Sequence, residues 1–141
     1  MPLAIVLGTL LMSVGTLLRV LSYRYLGRYF TFQLAIKKDH KLVTDGPYSV
    51  VRHPSYTGAW LFNIGIAIRV LGPGSTYSEL GLWHHPISFV VGLSQLAIIV
   101  YLGVVVGVRV QKEDMVLKNE FKNQWLAWAD RTPCRLIPYI Y

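Results

Sequence analysis

The most constraining feature of this sequence is an apolar run at about residues 86–108, which contains few polar residues, Ser94 and Gln95 the most notable among them. A helix of about 20 apolar residues spans the roughly 30 Å of hydrocarbon in a bilayer. A second run covers about residues 2–22, and a shorter one, which contains Asn63 and Arg69, covers about residues 56–71. Because a backbone in lipid must satisfy its hydrogen bonds internally, the three runs predict transmembrane helices and an all-α, polytopic membrane protein.

The composition supports this class. Hydrophobic residues make up 53% of the 141 residues and charged residues only 15%, which is unusual for a soluble domain. The length predicts a single integral-membrane domain over residues 1–141. A cleaved signal peptide is the alternative interpretation of the first run, but it would need a basic start and a shorter apolar core, and neither is present.

The distribution of lysine and arginine predicts the orientation of these helices. Six basic residues lie between the first and second runs and six more follow the third, whereas residues 72–85 contain none. Basic flanks face the cytosol, so residues 23–55 and 109–141 are predicted to be cytosolic. The net charge of +7 then favours contact with anionic lipid and not with nucleic acid, for which no motif is present.

Residues 46–58 contain the densest group of polar, rigid and aromatic side chains, directly before the second apolar run. Gly46-Pro47 is typical of a turn, and Pro54 suits the first position of a helix, so we expect a helix to begin at about Ser55. Its free N–H groups and positive end would face back toward Tyr48, Arg52 and His53. The sequence therefore predicts a site for an anionic group such as a carboxylate or phosphate.

A second polar cluster follows the third apolar run. Arg109 and Glu113 are four residues apart and share one face if the helix continues. A plain surface ion pair, worth about 0.3–0.5 kcal/mol, is the alternative interpretation. Further on, apolar and aromatic residues recur at helical spacing and predict an amphipathic C-terminal helix, which lies on the membrane or over the site. They are Leu117, Phe121, Trp125 and Trp128.

Other residues carry weaker signals. Cys134 is the only cysteine, and His84-His85 has Glu79 as its nearest carboxylate, so no disulfide and no metal site are predicted. Gly103 and Gly107 form a G-x-x-x-G pair, which lets another helix approach closely and allows self-association.

The two clusters together resemble the isoprenylcysteine carboxyl methyltransferase family over about residues 30–138. The motifs are His40-x-Leu42-Val43, Gly46-Pro47-Tyr48, Arg52-His53-Pro54-Ser55-Tyr56-x-Gly58, and Arg109 followed by Glu113-Asp114-x-x-Leu117 and Phe121. The resemblance implies S-adenosylmethionine-dependent methyl esterification of the C-terminal isoprenylcysteine carboxylate of prenylated proteins. It also implies a location in the endoplasmic reticulum membrane, with the site facing the cytosol.

The resemblance also implies roles for individual residues. The position of Arg109 contacts the substrate in that family, and a cytosolic re-entrant or cofactor-binding segment supplies most of the cofactor ligands. The residues that match the S-adenosylmethionine ligands are Gln33, His40, Lys41, Leu42, Val43, Tyr48, His53, Pro54, Ser55, Tyr56 and Glu113.

The chain departs from the family at several positions. The family usually has a second glutamate at the position of Asp114, and glycine and tyrosine at the positions of Lys122 and Trp125. Eukaryotic members have additional membrane helices ahead of the residue matching Met1. We therefore expect this chain to correspond to the catalytic C-terminal part.

The residues suit the implied reaction. A C-terminal carboxylate with a pKa of about 3.3–3.7 is ionised at neutral pH, so methyl transfer to it needs no general base. Arg109 can orient that carboxylate, and Glu113 with a tyrosine ring suits a cationic cofactor. The alternatives are an amine-directed membrane methyltransferase, a sterol-reductase-like enzyme, or a small non-enzymatic helical membrane protein with a degenerate site.

Overall fold

The computed structural model describes residues 2–29 and 41–138, except for the side chains of Thr76 and Trp83. Within these ranges every regular element is helical, which confirms the predicted all-α fold. The α-helices are α1 (Leu3–Leu26), α2 (Pro54–Leu71), α3 (Thr76–Glu79) and α4 (Pro86–Arg131), and short 3-10 helices cover Gly27–Tyr29, Gly46–Ser49 and Leu82–His84. Two predicted cofactor ligands, Gln33 and His40, lie outside the described residues.

Two stretches of the described chain, Leu3–Tyr29 and Pro86–Arg131, are helical, long and apolar enough to cross a membrane. They correspond to the first and third predicted spans, and the helical membrane protein class is confirmed. Helix α2 has 18 residues and carries Asn63 and Arg69, and it is not among the helices that meet this criterion. The predicted count of three spans therefore stays a prediction.

The chain divides into two compact units. The first contains the described parts of Met1–Leu17 and Gly58–Val105, and the second contains those of Leu18–Thr57 and Val106–Tyr141. The extent of one domain over residues 1–141 stays a prediction. The described residues of the two polar clusters fall in the second unit, except for Gly58, which belongs to the first.

In the first unit, glycines allow α1 and α2 to approach closely. A Cβ atom added to Gly15 would lie 2.5 Å from the carbonyl oxygen of Gly58 and 2.7 Å from the nitrogen of Phe62. Contacts of this kind between small residues are a common way for membrane helices to associate. Arg69, on α2, donates from Nη1 to Thr9 Oγ1 of α1 at 3.0 Å, which gives this cation a polar partner in an apolar unit.

The glycine pair on α4 has two different environments. A Cβ atom on Gly103 would meet the Trp60 ring at 3.0 Å, so this glycine accommodates a side chain of its own unit. Among the described residues, nothing lies within 4 Å of a Cβ atom built on Gly107. Self-association through both glycines stays a prediction.

The second unit has an aromatic core formed by Tyr48, Trp125 and Trp128. Leu26, Leu42, Val43, Leu117, Phe121 and Ala129 pack against it. The aromatic face of the predicted C-terminal helix is therefore buried against the turn that carries Tyr48. This helix is the last part of α4, so no loop separates it from the third apolar run.

Helix α4 is interrupted at Lys122, where φ is 45° and ψ is −114°. A positive φ costs a non-glycine residue on the order of 1–3 kcal/mol, because its Cβ atom crowds the backbone. The resemblance to the family, which usually has glycine at this position, agrees with this geometry. The break lies three residues before Trp125 and changes the direction of the chain just ahead of the buried tryptophans.

We expect Lys122→Gly to leave the protein as stable or to stabilise it by up to about 1 kcal/mol, since glycine adopts a positive φ without strain. Lys112→Gly is the matched control, because Lys112 is exposed and lies in a regular part of α4. There the same change should cost about 1 kcal/mol. Unfolding in detergent micelles measures both, and an equal loss at the two positions would contradict the strain at Lys122.

Candidate active site

Helix α2 begins at Pro54, one residue before the predicted start, and Pro54 is fully buried. The carbonyl of His53 accepts hydrogen bonds from the N–H groups of Tyr56 at 3.1 Å and Thr57 at 3.3 Å. Two of the first N–H groups of the helix are therefore already engaged by the chain itself. An anionic ligand at this helix start stays a prediction, with fewer donors than the sequence alone suggested.

The turn before α2 is held by Gly46 and Tyr48. Gly46 has a φ of 59°, and a Cβ atom on it would overlap the Tyr25 ring, so glycine is required there for two reasons. Tyr48 is buried and donates its hydroxyl to the Ser22 carbonyl at 3.5 Å. Burial raises the pKa of the Tyr48 phenol, and the charge of Glu113 raises it further. The hydroxyl therefore stays protonated and remains a donor.

A buried carboxylate, that of Asp114, lies at the centre of the site and is only 6% exposed. His53 donates from Nε2 to its Oδ1 at 2.9 Å. The other oxygen, Oδ2, lies 3.3 Å from Nε of Arg135 and 3.6 Å from Nη1 of Arg52. A buried charge is tolerated only when it is paired, and here one carboxylate faces two guanidinium groups and an imidazole.

The neighbouring acid, Glu113, has a more open position, with a side chain that is 31% exposed. It accepts a hydrogen bond from the Tyr56 hydroxyl at 2.8 Å, and its Oε2 lies 4.0 Å from Nδ1 of His53. The guanidinium carbon of Arg109 lies 5.9 Å from the centre of the Tyr56 ring. The two clusters predicted separately from the sequence therefore meet at Tyr56.

The segment after α4 runs along the start of α2. The backbone N–H groups of Arg52 and His53 donate to the carbonyls of Cys134 at 3.0 Å and Arg135 at 2.9 Å. Two side chains donate to the same segment: Arg52 Nη2 to Pro133 O at 3.2 Å, and Thr57 Oγ1 to Leu136 O at 2.6 Å. We call residues 133–136 the docked tail.

The aromatic core and the charged cluster are directly connected. Trp128 donates from Nε1 to the carbonyl of Tyr48 at 3.0 Å. The guanidinium carbon of Arg52 lies 5.4 Å from the Trp125 ring centre, within range of a cation–π interaction. The core therefore supports Arg52, which in turn faces Asp114.

The structure brings most of the predicted site residues into one unit. Tyr48, His53, Pro54, Ser55, Tyr56, Arg109 and Glu113 all lie in it, Leu42 and Val43 pack on its core, and Lys41 is exposed. Their roles toward a cofactor or substrate stay predictions. Within the described part of the chain, no three His, Cys, Asp or Glu side chains group in a way that could hold a metal ion.

Sequence reasoning placed Arg52 at the site but missed its contact with Asp114, the central position of Asp114 and the part played by Arg135. Asp114 was part of the quoted motif and a departure from the family pattern, but no role was predicted for it. The sequence does show a second acid next to Glu113. Adjacent residues of a helix point about 100° apart, so the two acids are expected to have different environments. No local pattern indicates Arg135, because its partners are distant in sequence.

Together these features define a helical membrane protein with a buried polar site beside an aromatic core. The model of the phospholipid methyltransferase family matches residues 3–91, more than half of the chain, and the chain belongs to this family.

The chain is also similar to proteins named protein-S-isoprenylcysteine O-methyltransferase. It is 27% identical to form B of Arabidopsis thaliana over 135 residues, which cover 94% of this chain and 58% of that protein. It is 34% identical to a probable form from Oryza sativa subsp. indica over 79 residues, covering 54% and 41%. With the protein of that name from Saccharomyces cerevisiae it shares 40% identity over 70 residues, covering 48% and 29%.

These similarities confirm the resemblance drawn from the motifs. The chain spans only 29% to 58% of the length of these three relatives. No solved structure matches it significantly.

We expect Trp128→Phe to destabilise the second unit more than Trp125→Phe. Both changes remove the same atoms, but only Trp128 donates to a buried carbonyl, whose loss of a partner costs about 1–3 kcal/mol. Among the described residues Trp125 Nε1 has no hydrogen-bond partner, and phenylalanine retains a ring beside Arg52. Unfolding free energies in detergent micelles test this, and equal losses would contradict it.

Proposed function

We propose that the chain is a methyltransferase that uses S-adenosylmethionine to esterify the C-terminal isoprenylcysteine carboxylate of prenylated proteins. The names of the relatives support the reaction and the substrate class. The basic flanks of the apolar runs support a site on the cytosolic face of the membrane. A location in the endoplasmic reticulum follows from the resemblance to the family.

The observation that carries this proposal is the meeting of Arg109, Tyr56 and Glu113 beside the buried His53. Tyr56 contacts both a cation and an anion. The Arg109 guanidinium lies over its ring, and Glu113 accepts a hydrogen bond from its hydroxyl. Methyl transfer to a carboxylate needs a group that orients an anion and another that attracts a cation. Arg109 is suited to orienting the anion, and Glu113 to attracting the cation, and both contact the same tyrosine.

The described residues fit the proposed cofactor. When bound, S-adenosylmethionine supplies a methyl group on a positively charged sulfur. A partly exposed carboxylate, Glu113, and the Tyr56 ring beside it are suited to a cation. The residues proposed to hold the cofactor are those predicted from the sequence, of which Lys41, Leu42, Val43, Tyr48, His53, Pro54, Ser55, Tyr56 and Glu113 are described.

The acceptor carboxylate is ionised at neutral pH and needs no proton removed, so the site has to provide alignment. Holding reacting groups in line can contribute on the order of 7–11 kcal/mol. Arg109 would orient the carboxylate by two parallel hydrogen bonds. Its grip has to be moderate, because the carboxylate loses its charge as the ester forms.

The membrane location suits the substrate. Each buried CH₂ of a prenyl chain contributes about 0.8 kcal/mol, so the lipidated end stays in the bilayer while its carboxylate remains at the surface. The partners we propose are therefore the bilayer and prenylated protein ends. Gly107, which has open space around it among the described residues, is the part of the glycine pair left for self-association.

A direct test is transfer of labelled methyl from S-adenosylmethionine to a small prenylcysteine analogue, in membranes that express only this chain. We expect base-labile label in the analogue, as in a methyl ester. Membranes expressing a variant with His53→Ala and Glu113→Ala provide the background. Label at background level in the wild type would favour the non-enzymatic alternative.

Arg109→Lys tests the orienting role within the same assay. Lysine keeps the charge but lacks the planar fork, so we expect turnover to fall tenfold or more, about 1.4 kcal/mol in activation free energy, with cofactor binding little changed. Arg131→Lys is the control, since Arg131 is an exposed arginine on the same helix. Near-wild-type turnover in Arg109→Lys would contradict the orienting role and favour the alternative, a plain surface ion pair with Glu113.

A second candidate, methylation of a lipid amine, is favoured by the description of the matching family as phospholipid methyltransferase. An amine acceptor would favour carboxylates over Arg109 at the acceptor position. Vesicles of phosphatidylethanolamine, offered in place of the prenylcysteine analogue, separate the two. Label in the lipid and none in the analogue would favour this second candidate.

A further inference from the structure

Asp114 joins three segments that are distant in sequence. It lies on α4, His53 and Arg52 precede α2, and Arg135 belongs to the docked tail. Its contacts with His53 and Arg52 involve side chains that are each less than a tenth exposed. The proposed reaction assigns no role to this carboxylate, although it is the most connected charge of the site.

The contact with His53 determines where the imidazole carries its proton. Asp114 Oδ1 can only accept, so the hydrogen bond at 2.9 Å requires a proton on Nε2 of His53. A neutral imidazole has one N–H, and Nδ1 is then left as an acceptor. Nδ1 faces Glu113 Oε2 at 4.0 Å, so the two present a pair of acceptors suited to one N–H donor of a bound cation.

The other oxygen of Asp114 connects the docked tail to the same imidazole. Arg135 Nε lies 3.3 Å from Oδ2, and the carbonyl of Arg135 accepts the backbone N–H of His53 at 2.9 Å. Asp114 thus holds the ring of His53, and Arg135, which Asp114 attracts, holds its backbone N–H. Both contacts restrict the orientation of one side chain.

We propose that Asp114 is a positioning residue: it fixes His53 in the tautomer that carries the proton on Nε2, and it holds the docked tail against the start of α2. The inference rests on the proposed function, in which His53 and Glu113 bind the cofactor. Asp114 touches neither cofactor nor substrate and acts through His53.

A purely structural role for Asp114 is the alternative. In that case the carboxylate balances the charges of Arg52 and Arg135, and its replacement lowers stability without changing the imidazole or the affinity of the folded protein. The two roles differ in the protonated nitrogen of His53 and in the dissociation constant for a cofactor analogue. Both can be measured on the full chain in detergent micelles.

The first measurement is the ¹⁵N spectrum of histidine-labelled protein at pH 8, with the His53 signals assigned from the spectrum of His53→Gln. We expect a protonated Nε2 and a bare Nδ1 in the wild type. Asp114→Asn, whose amide can donate as well as accept, should shift His53 toward a mixture of tautomers. Glu120→Gln removes an exposed carboxylate from the same helix and should leave the His53 signals unchanged.

The second measurement is calorimetric binding of S-adenosylhomocysteine. We expect the dissociation constant to rise about fivefold or more in Asp114→Asn, the loss expected from one misaligned hydrogen bond, and to change less than about twofold in Glu120→Gln. Asp114→Glu restores a carboxylate and should recover part of the affinity. That partial recovery supports a positioning role.

Unchanged His53 signals and unchanged affinity in Asp114→Asn would overturn the inference. If that variant does not fold, the ¹⁵N spectrum of the wild type still tests the inference. A proton on Nδ1 of His53 and a bare Nε2 would overturn the inference. If the wild type does not bind S-adenosylhomocysteine, the proposed function fails. The spectrum still supports or overturns the tautomer assigned to His53.

Discussion

The second unit depends on one buried carboxylate. Asp114, on α4, faces Arg52 and His53, which precede α2, and Arg135 of the docked tail, so it joins three segments that are distant in sequence. Removing one partner of such a buried group leaves an uncompensated charge, which typically costs about 3–5 kcal/mol. The loop before α2, the middle of α4 and the docked tail are therefore coupled, and the arrangement of the proposed catalytic residues depends on this coupling.

Two adjacent acids on α4 have different environments. Helical geometry turns Glu113 and Asp114 about 100° apart, so one is buried among cations and the other stays partly open beside Tyr56. The His53 ring lies between them, with one nitrogen toward each carboxylate. This division explains how a short helical stretch provides both internal support and an accessible polar group.

Much of this architecture can be predicted from the sequence. Hydropathy located α1, α2 and the first part of α4, and proline chemistry located the start of α2 to within one residue. The resemblance carried by the motifs brought Tyr56, Arg109 and Glu113 into one hypothesis. The third span was predicted to end at about residue 108, where polarity rises, whereas the helix continues beyond it as far as the break at Lys122. The role of Asp114 was missed because the His53 ring that it contacts is 61 residues away in sequence and is brought close only by tertiary packing. The docked tail is held largely through its backbone carbonyls. Every residue has a carbonyl, so the sequence does not indicate these contacts.

The docked tail also has a consequence for the order of biosynthesis. Arg52 and the Pro133 carbonyl that it contacts are 81 residues apart. A ribosome working at about 5–20 residues per second needs roughly 4–16 s to make the intervening chain. During that interval α2 can form, but Arg52 and His53, which precede it, do not yet have the docked-tail carbonyls that accept their N–H groups. The polar site is thus completed late, after the apolar helices on either side have been synthesised.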